Sequence, residues 1–212
     1  MNRYKTTFET WNKIASLYQD NFMDLNLYND TYDTFCSAIK KQNASIFEIG
    51  CGPGNITMYL LAKRPDFIIE ATDVSPNMIE LAKKNAPAAN FSLMDAREIH
   101  TIIKKFDGIM CGFCMPYLSK EDCAKLIQDC SRLLNSKGIL YCSVIEGDYN
   151  NSGYESGSSG DKAYVYYHQQ EYLQQLLTEN DFQNIQTFRK QYQKKDGASQ
   201  THLVFIAEKK FS

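Results

Sequence analysis

No apolar run in the 212-residue sequence approaches the roughly 18 residues that a membrane-crossing helix needs. The opening MNRYKTTFETWNK also lacks the apolar core of a secretory signal. A cytoplasmic location without a membrane partner is therefore expected. Excess basic charge is missing too: 23 Lys and Arg stand against 25 Asp and Glu, for a net charge of −2. The basic residues are scattered, whereas nucleic-acid binding draws its affinity from a clustered basic face, so no nucleic-acid partner is expected. A disulfide framework is lacking, because the seven cysteines (36, 51, 111, 114, 123, 130, 142) are odd in number and sit mostly in apolar segments, as reduced buried thiols do. Cys111 and Cys114 form a CxxC, but no second pair or His pair stands at zinc spacing, and no metal is expected. There is no internal repeat and no sign of a second domain. With 43% hydrophobic residues, the chain reads as one domain over residues 1–212, a monomer or homodimer.

What the sequence does have is an alternation. Trp11, Ile14, Ala15 and Tyr18 fall at helical spacing, as do Leu25, Tyr28, Tyr32, Phe35, Cys36 and Ile39, giving two amphipathic helices within residues 1–44 that form a cover. From Ser45 onward, short apolar runs alternate with amphipathic stretches: SIFEI, a helix over 55–63, FIIEAT, and a helix from Pro76 to Asn85 opened by a Ser75 cap. NFSLM, FDGIMCGF and KGILYCSVIE continue the strands, with a helix capped by Ser119 between the last two. This rhythm predicts an α/β fold, a Rossmann-like doubly wound and mostly parallel sheet over residues 45–212. FQNIQTFRKQY and SQTHLVFIAEKK, joined by a KKDGA turn, add an antiparallel C-terminal strand. Residues 147–161, with four Gly and four Ser, read as a long loop without regular structure, either a lid over the acceptor pocket or a plain tether. In the lid reading Gly153, Gly157 and Gly160 provide hinges, Ser158 and Ser159 hydroxyls, and Tyr154 a ring able to cover a ligand.

The stretch FEIGCGPGN places Gly50, Gly52 and Gly54 directly after the first strand. A backbone without Cβ atoms admits positive φ and a close molecular approach, and the following helix N-terminus offers free amides. Such turns also occur for packing alone. Asp73 ends the second strand, 23 residues after Gly50, where a carboxylate can accept both hydroxyls of a ribose. The G-x-G-x-G spacing, with Glu48 two residues before it, suits a cationic nucleoside ligand better than a dinucleotide diphosphate.

With FEIGCGPGN, EATDVSPNMIELAKKN, LMDARE, FDGIMCGF and LLNSKGILYCSVIE in this order, the chain resembles the class I S-adenosylmethionine-dependent methyltransferases from about residue 45 to the C-terminus. The resemblance implies S-adenosyl-L-methionine as cofactor. It implies that Gly50, Cys51, Gly52 and Gly54 pass beneath the methionine part, with Glu48 shaping the polar floor near its amine. By the same resemblance Asp73 holds the ribose, Val74 and Met78 pack on the adenine, Asp95 and the amide of Ala96 meet its edge, and the Cys111 carbonyl receives the amine. For Val74 and Met78 plain core packing is an equal reading.

Methyl transfer from a sulfonium needs mainly an aligned nucleophile, so no catalytic side chain is required. Where the acceptor must lose a proton, His168 or a tyrosine of YVYYH (Tyr164, Tyr166, Tyr167) is a candidate base, although His168 also suits a capping or surface position. CGFCMPYL stands where the family's amino-methylating members carry Asn/Asp-Pro-Pro-Tyr/Phe, which counts against adenine or glutamine acceptors. Cys114 follows Phe113 rather than Pro or Thr, which counts against a cytosine-type nucleophile and leaves a core role. The expected acceptor is a small molecule, with Trp11, Tyr18, Phe22, Tyr117 and Tyr154 as pocket candidates. The alternatives are a methyltransferase that reaches a protein or RNA through a docking partner, and a non-catalytic nucleoside-binding protein.

Overall fold

The computed structural model describes residues 3–157, 160–194 and 197–211. Ser158 and Ser159, and residues 195 and 196 of the KKDGA turn, lie outside the described residues. The parallel strands β1 (Ser45–Ile49), β2 (Ile68–Asp73), β3 (Asn90–Leu93), β4 (Phe106–Cys111) and β5 (Leu134–Glu146) alternate with helices α4 (Asn55–Lys63), α5 (Pro76–Asn85) and α6 (Lys120–Leu133). The strand order is β3-β2-β1-β4-β5-β10-β9, where β10 (Ser199–Lys209) runs antiparallel to both β5 and β9 (Phe182–Gln193), and the two-residue β8 (Tyr167–His168) pairs parallel with the end of β5. The order reverses at β1, between β2 and β4, which is where α/β sheets open a ligand crevice at their strand ends. This is the expected Rossmann-like arrangement.

Period-2 alternation divides the sheet's faces. Phe47 and Ile49 of β1 face the side covered by α6 and α7 (Gln170–Glu179), where Leu126, Leu173 and Leu177 are buried. Ile46 faces the opposite side, against Leu60 of α4, Ile79 of α5 and the fully buried Phe35 of α3 (Asn29–Ala38). Ser75 caps α5 by accepting the Met78 N–H, and Ser119 caps α6 by accepting the Asp122 N–H, each at 3.2 Å, as the sequence predicts.

Two expectations are corrected. The N-terminal segment makes three helices rather than two: α1 (Arg3–Lys13), α2 (Ala15–Phe22) and α3. The backbone leaves helical angles at Ile14 (φ −97°, ψ 16°), although the hydrogen bonds from Ile14 N to Thr10 O and from Tyr18 N to Ile14 O bridge the break. Secondly, residues 147–161 are not a structureless loop. Tyr149–Asn151 form a 3-10 turn, and β6 (Gly153–Ser156) pairs antiparallel with β7 (Lys162–Val165). The hairpin forms because cross-strand partners such as Tyr154 and Tyr164 outweigh the local flexibility of glycine and serine.

This hairpin holds α1 in place. Thr7 Oγ1 accepts the Tyr164 N–H at 3.0 Å and donates to Arg3 O, Thr10 Oγ1 donates to Lys162 O at 2.7 Å, and Lys13 pairs with Asp161. Replacing the buried Thr7 by valine leaves the Tyr164 N–H without a partner, which costs about 1–3 kcal/mol. At about 2–4 °C per kcal/mol for a chain of this size, Thr7→Val is expected to lower Tm by several degrees in differential scanning calorimetry, and an unchanged Tm would show that the α1–hairpin bond adds nothing.

Candidate active site

The glycine turn adopts the conformation its composition favours. Gly50, Gly52 and Gly54 have φ of +68°, +54° and +87°, all in the left-handed region that other residues rarely occupy. At Gly50 a side chain is excluded twice, since a Cβ would also stand 3.0 Å from Cys114 Cβ. At Gly52 a Cβ would meet only Tyr18 Cε1, at 3.7 Å, so this glycine faces open space. Cys51 N donates to Thr72 O at 2.9 Å, which fixes the turn to the end of β2.

Asp73 completes that attachment. Its Oδ2 accepts the Gly52 N–H and its Oδ1 the Ser75 N–H, both at 2.9 Å. Burial raises its pKa, and the backbone N–H groups of Ser75, Gly52 and Val74 oppose the shift. A carboxylate oxygen carries two lone pairs, so each oxygen of Asp73 retains capacity for a further donor. α1 and α2 close over this edge. Asn12 Oδ1 accepts from Ser75 Oγ and Asn77 N, its backbone oxygen accepts from Asn77 Nδ2, and Asn85 Nδ2 joins Gln19 Oε1 to Pro53 O.

Beneath these helices lies a first cavity. Gly50, Gly52, Asp73, Val74, Met78, Asp95 and Ala96 line it from the sheet edge, and Thr7, Phe8, Trp11 and Tyr18 from the helices. Asp95 is already engaged: Arg97 forms an ion pair with it at 2.6 Å and stacks its guanidinium 4.0 Å from the Tyr4 ring. A second cavity shares Trp11, Tyr18, Phe113 and Tyr117 with the first and extends to Phe22, Tyr28, Tyr192 and His202. Phe113 holds a φ of +59°, costly for a non-glycine residue, and its N–H is fixed by Ser143 Oγ at 2.8 Å. Backbone strain of this kind gathers at ligand sites.

The other sequence-derived residues do not line either cavity. Cys51 and Cys111 are buried under the turn and at the end of β4. A Cβ on Gly54 would press on Ala82 at 3.2 Å, so this glycine serves helix packing. Glu48 is fully buried, with Oε2 accepting from Thr57 Oγ1 at 2.6 Å and Oε1 lacking a partner. The candidate bases are set elsewhere by burial. His168 is 0% exposed between Tyr149 and Tyr172, 3.7 Å from Cys123 Sγ, and burial lowers its pKa to about 4. Tyr167 donates its hydroxyl to Glu155, and burial followed by that bond raises its pKa to about 12. Tyr164 and Tyr166 are tied through their backbone N–H groups to Thr7 and Pro116. Tyr154 is half exposed, edge-on to Tyr164 in the hairpin, and does not cover a cavity.

The sequence reading overlooked Phe113, Tyr192 and above all His202. His202 Nδ1 is 2.6 Å from the Tyr28 hydroxyl, while its Nε2 is buried without a partner. Burial, and secondarily the charge of Lys194, lowers its pKa to about 4, so the ring is neutral at pH 7. The available signal was a histidine in the alternating apolar register of β10, where Val204 and Ile206 continue the same buried face.

Residues 46–138 match a family model described as a methyltransferase domain. The carboxy-S-adenosyl-L-methionine synthase of Campylobacter jejuni is 28% identical over 148 residues, 66% of this chain and 62% of that one. The chain spans 49–62% of the length of the first curated relatives it matches. The Burkholderia thailandensis 1,6-didemethyltoxoflavin-N1-methyltransferase, solved with 1,6-didemethyltoxoflavin and S-adenosylhomocysteine bound, superposes with a TM-score of 0.72 at 19% identity, covering 97% of this chain and 88% of that one. A methyltransferase structure from Methanosarcina mazei gives a TM-score of 0.69 at 18% identity, covering 83% of this chain and 97% of that one.

Two outcomes follow from the geometry. Gly52→Val is expected to remove nucleoside binding in calorimetry while circular dichroism stays native, because the side chain enters the cavity and strains a left-handed residue; unfolding before binding is lost would assign the glycine to packing instead. Glu48 has its pKa raised from 4.5 to about 8, chiefly by burial, so it binds its proton more tightly folded than unfolded. Its stabilising contribution is complete below about pH 4.5 and is lost as the pH rises to about 8. Urea denaturation of Glu48→Gln is expected to show that loss abolished, a relative gain on the order of 3–5 kcal/mol at pH 9, whereas parallel pH profiles would refute the shift.

Proposed function

We propose that the chain, which has the fold of solved methyltransferases and matches a methyltransferase domain over residues 46–138, is a class I S-adenosylmethionine-dependent methyltransferase with a small molecule as methyl acceptor. One observation carries this reading: a cavity at the carboxyl edge of the parallel strands whose floor is a side-chain-free turn and whose wall holds a carboxylate with unused acceptor capacity. Gly52 leaves room for a ligand against the main chain, and Asp73 accepts ribose hydroxyls while it holds the turn. Val74 and Met78 give an apolar seat for the adenine, with the Ala96 amide at its edge. Glu48, under the turn, contributes to the polar floor through the turn's position rather than by direct contact.

When bound, the cofactor supplies an electrophilic sulfonium methyl, which leaves orientation as the protein's main task. Trp11, Tyr18, Phe113 and Tyr117 line both cavities, so the cofactor and acceptor positions adjoin along these rings. The small-molecule assignment is supported by the second cavity itself, which is lined by side chains, and by the acceptor named for the Burkholderia protein.

Isothermal calorimetry tests the reading. S-adenosylmethionine and S-adenosylhomocysteine are expected to bind, and Asp73→Ala to weaken both by about 10- to 150-fold, the loss of a charge-assisted contact of roughly 1.5–3 kcal/mol. Binding of NAD in their place, or unaltered affinity in a folded Asp73→Ala protein, would overturn it.

A further inference from the structure

Among the described residues, the second cavity is lined by no Asp, Glu, Lys or Arg. Its walls are mostly rings, with the amides of Asn55 and Gln200 as neutral polar side chains among them. Trp11 meets Tyr117 at 5.2 Å, Tyr18 meets Phe22 at 4.5 Å, and His202 lies nearly parallel to Tyr192 (5.3 Å, 17°) and Tyr28 (6.0 Å, 7°). Two buried polar atoms in this lining have no hydrogen-bond partner, Trp11 Nε1 and His202 Nε2. Buried polar groups in folded proteins are almost always paired, so two orphans on residues lining this cavity, Trp11 being shared with the first, point to polar atoms of a ligand.

An aromatic box without formal charge has two natural occupants, a flat uncharged ring system or a cation held over ring faces. The orphaned atoms decide between them. An indole N–H only donates, so it requires a lone pair on the ligand. A quaternary ammonium has none and would leave Trp11 Nε1 buried and unpaired. A carboxylate would meet no cationic side chain. His202 adapts to the remaining polar atom: with the Tyr28 hydroxyl donating to Nδ1, Nε2 carries a proton and donates, and with Nδ1–H donating to Tyr28, Nε2 accepts.

We infer that the methyl acceptor is an uncharged, planar aromatic or heteroaromatic molecule with a polar edge, held by Trp11 Nε1–H and His202 Nε2, with Tyr28 positioning the imidazole. This rests on the methyl-transfer reading above, and it makes His202 the residue that selects the acceptor. The aromatic walls supply stacking and edge-to-face contacts to the ring system, while the two nitrogens reject flat hydrocarbons that cannot pair them.

The test separates the two readings by saturating the protein with S-adenosylhomocysteine first. Failure of that nucleoside to bind is a failure of the cofactor assignment. With it bound, 4-quinolone, a flat neutral carbonyl heterocycle, is titrated beside choline and benzoate in calorimetry. The expected result is binding of 4-quinolone with no measurable choline or benzoate binding. His202→Phe, which keeps the ring and loses both nitrogens, is expected to weaken 4-quinolone at least about tenfold while S-adenosylhomocysteine affinity stays within threefold. His202→Gln, which restores a polar side chain, should fall between the two and guards against a folding defect in the first variant. No binding of 4-quinolone, tighter binding of choline or benzoate, or equal 4-quinolone affinity in native and His202→Phe proteins would overturn the inference.

Discussion

The bond from Gly52 N–H to the Asp73 carboxylate joins the end of β1 to the end of β2, and the geometry of the whole sheet edge depends on it. The same carboxylate takes the Ser75 N–H, and Ser75 in turn caps α5, so strand, turn and helix are set by one side chain. Ser75 and Asn77 then hold Asn12, which extends the chain of bonds to the covering helix α1. Burying this charge costs free energy, visible in the raised pKa of Asp73, and the converging backbone donors offset part of that cost. A neutral side chain at residue 73 could fill the volume, yet it could not organise turn, cap and cover together.

The parts of the structure legible in the sequence are those set by short-range chemistry. A glycine turn after an apolar run, a Ser-Pro helix start two residues after Asp73 and the alternation of strands and helices all depend on neighbours within a few positions. The sheet order follows from them because parallel strands need helical crossovers. The residues that sequence reasoning misplaced are those whose role depends on distant partners. His168 looks like a free base in YVYYH, but burial beside Cys123, Tyr149 and Tyr172 fixes it as a core residue. Tyr154 stands in a glycine- and serine-rich stretch that suggests a mobile cover, and cross-strand pairing with Tyr164 makes it part of a hairpin instead.

His202 illustrates the same limit from the other side. Nothing adjacent to it in SQTHLVFIAEKK marks it as special, since strands tolerate single histidines. Its environment is assembled from four separate parts of the chain, Tyr28 before α3, Phe113 after β4, Ile145 of β5 and Tyr192 of β9. Only the antiparallel entry of β10 at the carboxyl edge of the parallel strands brings residue 202 to the crevice. A parallel strand in that place would bring its other end there.

The two halves of the site are also held by different kinds of force. The floor belongs to the sheet, whose backbone ladder and buried faces give it the stability of the whole domain. Trp11 of α1 and Tyr18 and Phe22 of α2 bring part of the aromatic wall over it, and these helices are attached by side-chain hydrogen bonds through Thr7, Thr10, Asn12 and Gln19. Such bonds contribute about 1 kcal/mol each, so displacing the wall costs far less than opening the sheet. The hairpin of β6 and β7 adds to the wall's attachment from the outside. The rings common to both cavities come from both parts, Trp11 and Tyr18 from the covering helices and Phe113 and Tyr117 from the segment after β4, so the two cavities adjoin where cover and sheet edge meet.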